Sequence, residues 1–182
     1  MQTTSLQQLK FPIGECPVIK HPSNQEIEAA IQSIEVFPQL LESTLNGVSN
    51  EALNYRYRPD GWKVKQVVHH CADSHMNSII RFKLALTEDI PHIRPYHEHL
   101  WAELNDSLSD DLSDTLLLLK GLHNKWASLL KSLTESDLLL EFEHPEHGTR
   151  FNLGENIMVY DWHCRHHLAH IRQGLESEGK YN

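Results

Sequence analysis

The chain has 182 residues, 40% hydrophobic and 23% charged, which fits one globular domain over residues 1–182 with a full core and is too short for two. Its formal net charge of −9 speaks against nucleic acid, whose phosphates need Lys and Arg to neutralise them. Fourteen histidines are many for this length, so their placement becomes the central question.

Residues 1–23 hold Pro12, Pro17, Pro22 and Gly14 and are expected to form an irregular arm laid across the domain. The stretch 1–15 has no apolar run behind a basic start, so no signal peptide is predicted. Ser23-Asn24-Gln25-Glu26 fits a capping box, the Ser23 hydroxyl meeting a free amide and Glu26 reaching back, and predicts the start of a first helix. Ile27, Ala30, Ile31, Ile34, Phe37, Leu40 and Leu41 then repeat at helical spacing to about Leu45. Asn46-Gly47 predicts a turn, residues 49–54 a short helical piece, and Arg58-Pro59-Asp60-Gly61 a second turn. A second helix follows, with Val64, Val67, Val68, Cys71, Ala72, His75, Ile79, Phe82 and Leu86 as its buried stripe.

The segment from Thr87 to Ser109 contains Pro91 and Pro95, is rich in His and aromatics, and predicts a short helix around Glu98–Leu104. A connection this long in a compact domain is often functional. A third helix is predicted from about Asp110 to Leu133, its acidic start favoured by the helix dipole, with Leu112, Leu116, Leu119, Leu122, His123, Trp126 and Leu130 facing inward. One turn at 135–139 and a tight turn at Pro145-Glu146-His147-Gly148, between short extended pieces, precede a last helix over about Leu153–Glu178. These elements describe an all-α fold, a four-helix bundle with one long crossover segment. No run of 18 apolar residues occurs, so no membrane partner is expected. Cys16, Cys71 and Cys164 are odd in number and far apart and form no Cys-x-x-Cys pair, so neither a disulfide framework nor a zinc ribbon is expected and a cytoplasmic location is.

The chemistry concentrates in Trp162-His163-Cys164-Arg165-His166-His167-Leu168-Ala169-His170 on the last helix. His163/His167 and His166/His170 each have i, i+4 spacing, which stacks two imidazoles one turn apart, where they can converge on one ion. The apolar face is Leu153, Ile157, Tyr160, Cys164, Ile171 and Leu175; His167 lies in it and His163 beside it, so this pair is favoured over His166/His170. His170 is the natural substitute, or a residue that orients a ligand from behind. On the second helix His70 borders the buried stripe, His69 is turned roughly 100° away towards solvent, and His75 lies more than one turn further along. The expected metal site is therefore His70, His163 and His167, one divalent ion with a fourth position open to water or substrate. An isolated His on an apolar face is more often a hydrogen-bonded core residue, and it is the clustering that shifts the balance here. Cys164 reads as a small core residue, Tyr160 and Trp162 as packing, Asp60-Gly61 as turn chemistry, and Asp73 and Asp161 as solvated or as partners of a ligand imidazole.

Lys10-Phe11-Pro12-Ile13-Gly14, Tyr57-Arg58-Pro59-Asp60-Gly61-Trp62, the stretch from Gln66 to Asn77, that from Arg81 to Asp89, Trp101-Ala102-Glu103-Leu104, His144-Pro145-Glu146-His147-Gly148 and the segment Trp162 to His170 together resemble the DinB/YfiT-like superfamily, most closely its YfiT-type branch of metal-dependent hydrolases. The resemblance implies a DinB-like four-helix bundle, a cytoplasmic homodimer, and one divalent metal, zinc or nickel, on positions that match His70, His163 and His167. Where the family commonly has Leu after the first ligand, this chain has Cys71, a sulfur expected near the metal. The activity implied is hydrolysis of a small-molecule substrate by metal-activated water. Related members transfer low-molecular-weight thiols (bacillithiol, mycothiol or glutathione), so a thiol S-transferase is the competing reading and a metal-stabilised binding protein without turnover the third. No Glu stands within the His motif as in His-Glu-x-x-His, which speaks against a protease. Tyr96 and Trp101, in the long crossover, are candidate walls of a pocket.

Overall fold

A computed structural model describes residues 5–145 and 148–182. In chain order it contains α1 (Leu6–Lys10), α2 (Asn24–Leu45), α3 (Asn50–Leu53), α4 (Val64–Thr87), α5 (Glu98–Trp101), α6 (Ser113–Lys131), α7 (Glu135–Leu138), β1 (Glu141–His144), β2 (Thr149–Asn152) and α8 (Leu153–Glu176). The four long helices are α2, α4, α6 and α8. α2 and α4 each pack on both α6 and α8, which makes a bundle in which α2 and α4 stand at opposite corners. The core is one cluster: Ile34, Phe37 and Leu41 from α2, Val67, Val68, Cys71 and Phe82 from α4, Leu119 and Trp126 from α6, and Ile157, Cys164 and Ile171 from α8.

Local signals set most boundaries. Ser23 caps α2, its hydroxyl accepting the Glu26 amide while the Glu26 carboxylate accepts the Ser23 N–H. Asn152 caps α8 by accepting the Glu155 amide at 2.8 Å. β1 and β2 form an antiparallel hairpin with Phe142 opposite Phe151; the turn expected between them includes Glu146 and His147, which lie outside the described residues. α4 and α8 run antiparallel and close together. A Cβ added at Gly174 would stand 2.6 Å from Val64 Cγ2, so glycine there lets the first turn of α4 approach α8.

Three expectations need correction. The N-terminal arm is not wholly irregular: α1 forms with its own capping box, Ser5 to Gln8, and buries Leu9. The arm does lie across the domain, on α8, where the Leu9 and Lys10 carbonyls accept from Gln173 and His170 and the Gly14 carbonyl from Trp162. The third long helix starts at Ser113, not Asp110, because Lys65 Nζ and Asn54 hold the Asp110 carboxylate at 2.7 and 3.0 Å while Asp111 caps from outside the helix. His69 does not face solvent. It is 7% exposed, with Nδ1 2.8 Å from Thr115 Oγ1 and Nε2 3.2 Å from the Ser109 carbonyl, because the crossover folds back over this side of α4. Gln66 Nε2 donates to the Ala102 carbonyl on the same side, and the first part of the crossover is fixed to β1 by Ile93 N–H to Glu143 O and Glu143 N–H to Pro91 O. No helix among the described residues is long and apolar enough to cross a membrane.

Candidate metal centre

The antiparallel pairing of α4 and α8 brings together the three histidines selected from the sequence. One ring nitrogen from each of His70, His163 and His167 lies within 4.8 Å of the other two. Ring centroids are 4.8 Å apart for His70–His167, 5.4 Å for His70–His163 and 4.3 Å for His163–His167. Burial lowers the pKa of all three, that of His70 to about 4 and those of His163 and His167 well below the ordinary value, so the rings are neutral near pH 7 and keep a lone pair for a cation.

The orientation of His163 is fixed by a buried chain of imidazoles. His163 Nδ1 lies 3.1 Å from His75 Nε2, His75 Nδ1 2.8 Å from His123 Nε2, and His123 Nδ1 2.6 Å from the Ile34 carbonyl. A carbonyl only accepts, so the proton of His123 sits on Nδ1 and its Nε2 must accept. The same logic passes outward through His75 and leaves His163 with Nδ1 protonated and Nε2 bearing the lone pair. Burial keeps His75 and His123 neutral as well, the latter's pKa being lowered to about 4. The acceptor at the inner end has a cause in the sequence. Inside α2 the Ile34 carbonyl would normally accept from the amide four residues on, but that residue is Pro38, which has no N–H. His123 takes the vacated lone pair. Phe37, Trp126 and Tyr160 pack around His75 with centroids 5.4–5.7 Å away.

A second, shorter chain stands behind His167. His170 Nε2 lies 3.0 Å from the Lys10 carbonyl, and its Nδ1 lies 3.5 Å from His167 Nδ1. The carbonyl again sets the tautomer: His170 donates through Nε2 and accepts at Nδ1, which leaves Nε2 of His167 as the free donor atom. The ring of His170 is stacked on Tyr57 at 3.9 Å, and burial lowers its pKa to about 3. His166, His167 and His170 form another trio of nitrogens within 4.8 Å. That trio is the poorer cation site, because the Lys10 carbonyl fixes a proton on His170 Nε2 and His167 is hydrogen-bonded to its Nδ1, whereas His163 Nε2 faces only the Ser74 hydroxyl, which can turn away. His166 stacks on Trp162 at 4.1 Å with Nδ1 buried and no hydrogen-bond partner among the described residues.

Cys71 and Cys164 are buried core residues with thiol pKa values raised by burial, neither belongs to a cation trio, and Cys164 Sγ contacts His75 Nε2 at 3.9 Å. Asp161 is not solvated but pairs with Arg165, Nη2 to Oδ2 at 2.6 Å. Asp73 is half-buried, its pKa raised to about 6 by burial and the neighbouring Asp106. Neither carboxylate bonds a ring of the trio. Imidazoles do that orienting instead, a role offered for His170 by its spacing but invisible for His75 and His123, which belong to helices far apart in sequence. The one hint was Pro38 four residues after Ile34, a free carbonyl inside a helix.

A cavity of about 490 Å³ opens on His70 and His163. Ser74 and Tyr160 line it beyond the imidazoles, with Ser74 Oγ 3.3 Å from His163 Nε2 and 3.4 Å from Tyr160 Oη. Arg81 and His144 also line it, and the crossover supplies Pro95, Tyr96 and Glu98. Tyr96 is thus a wall, as its place in the crossover suggested. Trp101 is not; it packs behind Tyr96 with centroids 4.6 Å apart. Tyr160 is both packing and wall. A trio of neutral imidazoles, His163 and His167 oriented from behind and His70 and His163 facing an accessible cavity, can hold a divalent ion and still present it to a small molecule.

Comparisons with known proteins bear on the family and the fold. The sequence profile of the DinB superfamily matches residues 33–171. A protein of Oceanobacillus iheyensis, named a "putative metal-dependent hydrolase", is 48% identical over 163 residues, covering 89% of this chain and 93% of its own. YfiT of Bacillus subtilis, which carries the same description, is 44% identical over 165 residues, covering 91% of this chain and 93% of its own. The solved structure of that protein, described as a probable metal-dependent hydrolase with an unusual four-helix bundle topology, superposes with a TM-score of 0.90 at 42% identity, covering 96% of this chain and 99% of that one.

Proposed function

The chain belongs to the DinB superfamily, and from that premise we propose that it is a metal-dependent hydrolase in which His70, His163 and His167 hold one divalent ion, zinc or alternatively nickel. The observation that carries this reading is the convergence of three neutral ring nitrogens within 4.8 Å beside a cavity. A divalent ion held by these three imidazoles would keep a position open to water and would supply, as a Lewis acid, a nucleophile at neutral pH. The residues of the chain do the rest. His75 and His170 hold two of the rings with Nε2 forward, the crossover screens the site from bulk water, and the Ser74 and Tyr160 hydroxyls are placed to hydrogen-bond a substrate beside the imidazoles. In the same reading the enzyme works in the cytoplasm as a homodimer on a small molecule.

Metal content by mass spectrometry and a hydrolysis screen on one preparation test it. The expected result is about one zinc or nickel per chain, and hydrolysis that needs the metal, needs no added thiol and rises with pH through the titration of bound water. Activity that requires a low-molecular-weight thiol as co-substrate would replace the hydrolase by the S-transferase. Metal that affects only thermal stability would leave a binding protein.

A further inference from the structure

We propose that Arg81 is the recognition point for an anionic substrate group, a carboxylate or a phosphate, in the cavity that opens on His70 and His163. This deepens the hydrolase reading and rests on it for the position of the reacting end. Five Lys and Arg residues of the described chain are not solvent-exposed: Arg56, Arg58, Lys63, Lys65 and Arg81. Arg56 and Arg58 donate to the Gly61 and Pro59 carbonyls, Lys63 to Asn54 and Lys65 to Asp110. Arg81 alone has no hydrogen bond and no ion pair among the described residues, and its Nε is fully buried without a partner. One buried N–H donor is thus unsatisfied and the remaining guanidinium N–H groups have no protein acceptor among the described residues, so an oxyanion lying against Arg81 would be met by paired donors.

Arg81 lines the same cavity as His70, Ser74, Tyr160 and His163, and it is the one Lys or Arg in that wall. The wall's carboxylate, Glu98, comes from the crossover and makes no ion pair with Arg81. His70, Ser74 and Arg81 share a face of α4: eleven residues are about three turns, or roughly 16 Å along the axis. Helical side chains lean towards the N-terminus, so the guanidinium leans back towards Ser74 and the gap to the imidazoles is on the order of 10 Å. A substrate with its reacting group at the histidines and its oxyanion on Arg81 is therefore an extended small molecule. The planar guanidinium suits a carboxylate or phosphate equally, by paired N–H donors.

A ladder of dicarboxylates from succinate to suberate, titrated calorimetrically into zinc-loaded protein, measures this gap. One carboxylate goes to the metal and the other to Arg81. We expect one chain length to bind at least tenfold more tightly than the monocarboxylate of the same length, and R81Q to reduce that advantage to less than twofold with metal and monocarboxylate affinities unchanged. Phosphonocarboxylates of the same lengths decide between the two oxyanions, the tighter series naming the group. A dicarboxylate and a phosphonocarboxylate series that both bind no better than monocarboxylates at any length, in protein that does bind zinc, overturns the proposal. In metal-free protein the ¹⁵N–¹H resonance of Arg81 Nε should shift on adding the best ligand. A shift in protein that fails to bind zinc would sink the metal site and keep the anion subsite, and a static resonance would sink the subsite.

Discussion

His163 and His167 stand one turn apart on α8 and are braced from opposite sides. The inner brace runs through His75 and His123 to the Ile34 carbonyl in the middle of α2, and every ring in it behind His163 is fully buried. The outer brace is a single imidazole, His170, that ends on the Lys10 carbonyl in the N-terminal arm. Both use one device, a neutral ring whose tautomer is dictated by a backbone carbonyl. They differ in what supplies the carbonyl. In the bundle core every helical carbonyl is normally taken, so the inner brace depends on a proline that releases one. The outer brace borrows a carbonyl from a segment that is itself held to α8 by a few hydrogen bonds. The inner brace is thus as firm as the bundle, and the outer one only as firm as the arm.

The reference effect is loss of the ligands themselves: His163→Ala/His167→Ala is expected to lose all stoichiometric metal, and full retention would void both braces along with the site. Acid comes next. Burial lowers the folded-state pKa of His70, His123 and His166 to about 4, that of His170 to about 3, and those of His75, His163 and His167 further below the ordinary value. The unfolded chain therefore takes up protons first. Stability of the metal-free protein should be complete above the unfolded pKa of about 6.5 and fall steadily as pH drops towards 4. Urea midpoints that stay level across that window would contradict the burial of these rings.

Third, His75→Leu leaves the His123 and His163 nitrogens without partners in the core. We expect a loss of about 2–4 kcal/mol in urea unfolding and a 10–100-fold weaker zinc affinity. It should also randomise the His163 tautomer in ¹⁵N spectra of metal-free protein, a change that simple loss of packing would not cause. The smallest effect belongs to the outer brace: His170→Leu should weaken zinc about tenfold and lower stability by about 1 kcal/mol, since the Lys10 carbonyl can turn to water. Should His170→Leu prove the more damaging of the two, the ranking of inner over outer is reversed.

Much of this was legible in the sequence because helices write their geometry as a period. Ser23 with Glu26, the stripe from Ile27 to Leu41, and the offsets of His70, His163 and His167 from their apolar faces are local facts, and the structure keeps them. Contacts made across the bundle were not legible. His69 was expected in solvent because nothing local announces that the crossover lies down on that face of α4. Asp110 looked like a helix start because its partner, Lys65, is 45 residues away. His123 was placed inward as one more core residue, and its meeting with His75 depends on α4 and α6 packing side by side.

The carbonyls that end both braces also decide where protons can travel. A conducting wire of imidazoles needs a group at its far end that can take up or give back a proton, and a peptide oxygen can do neither at any pH the protein survives. Ile34 and Lys10 thus close both chains as dead ends. Whatever proton the histidine site releases or consumes must pass on the cavity side, by Ser74, Tyr160 and the solvent beyond them. The interior behind the site sets orientation and carries no current.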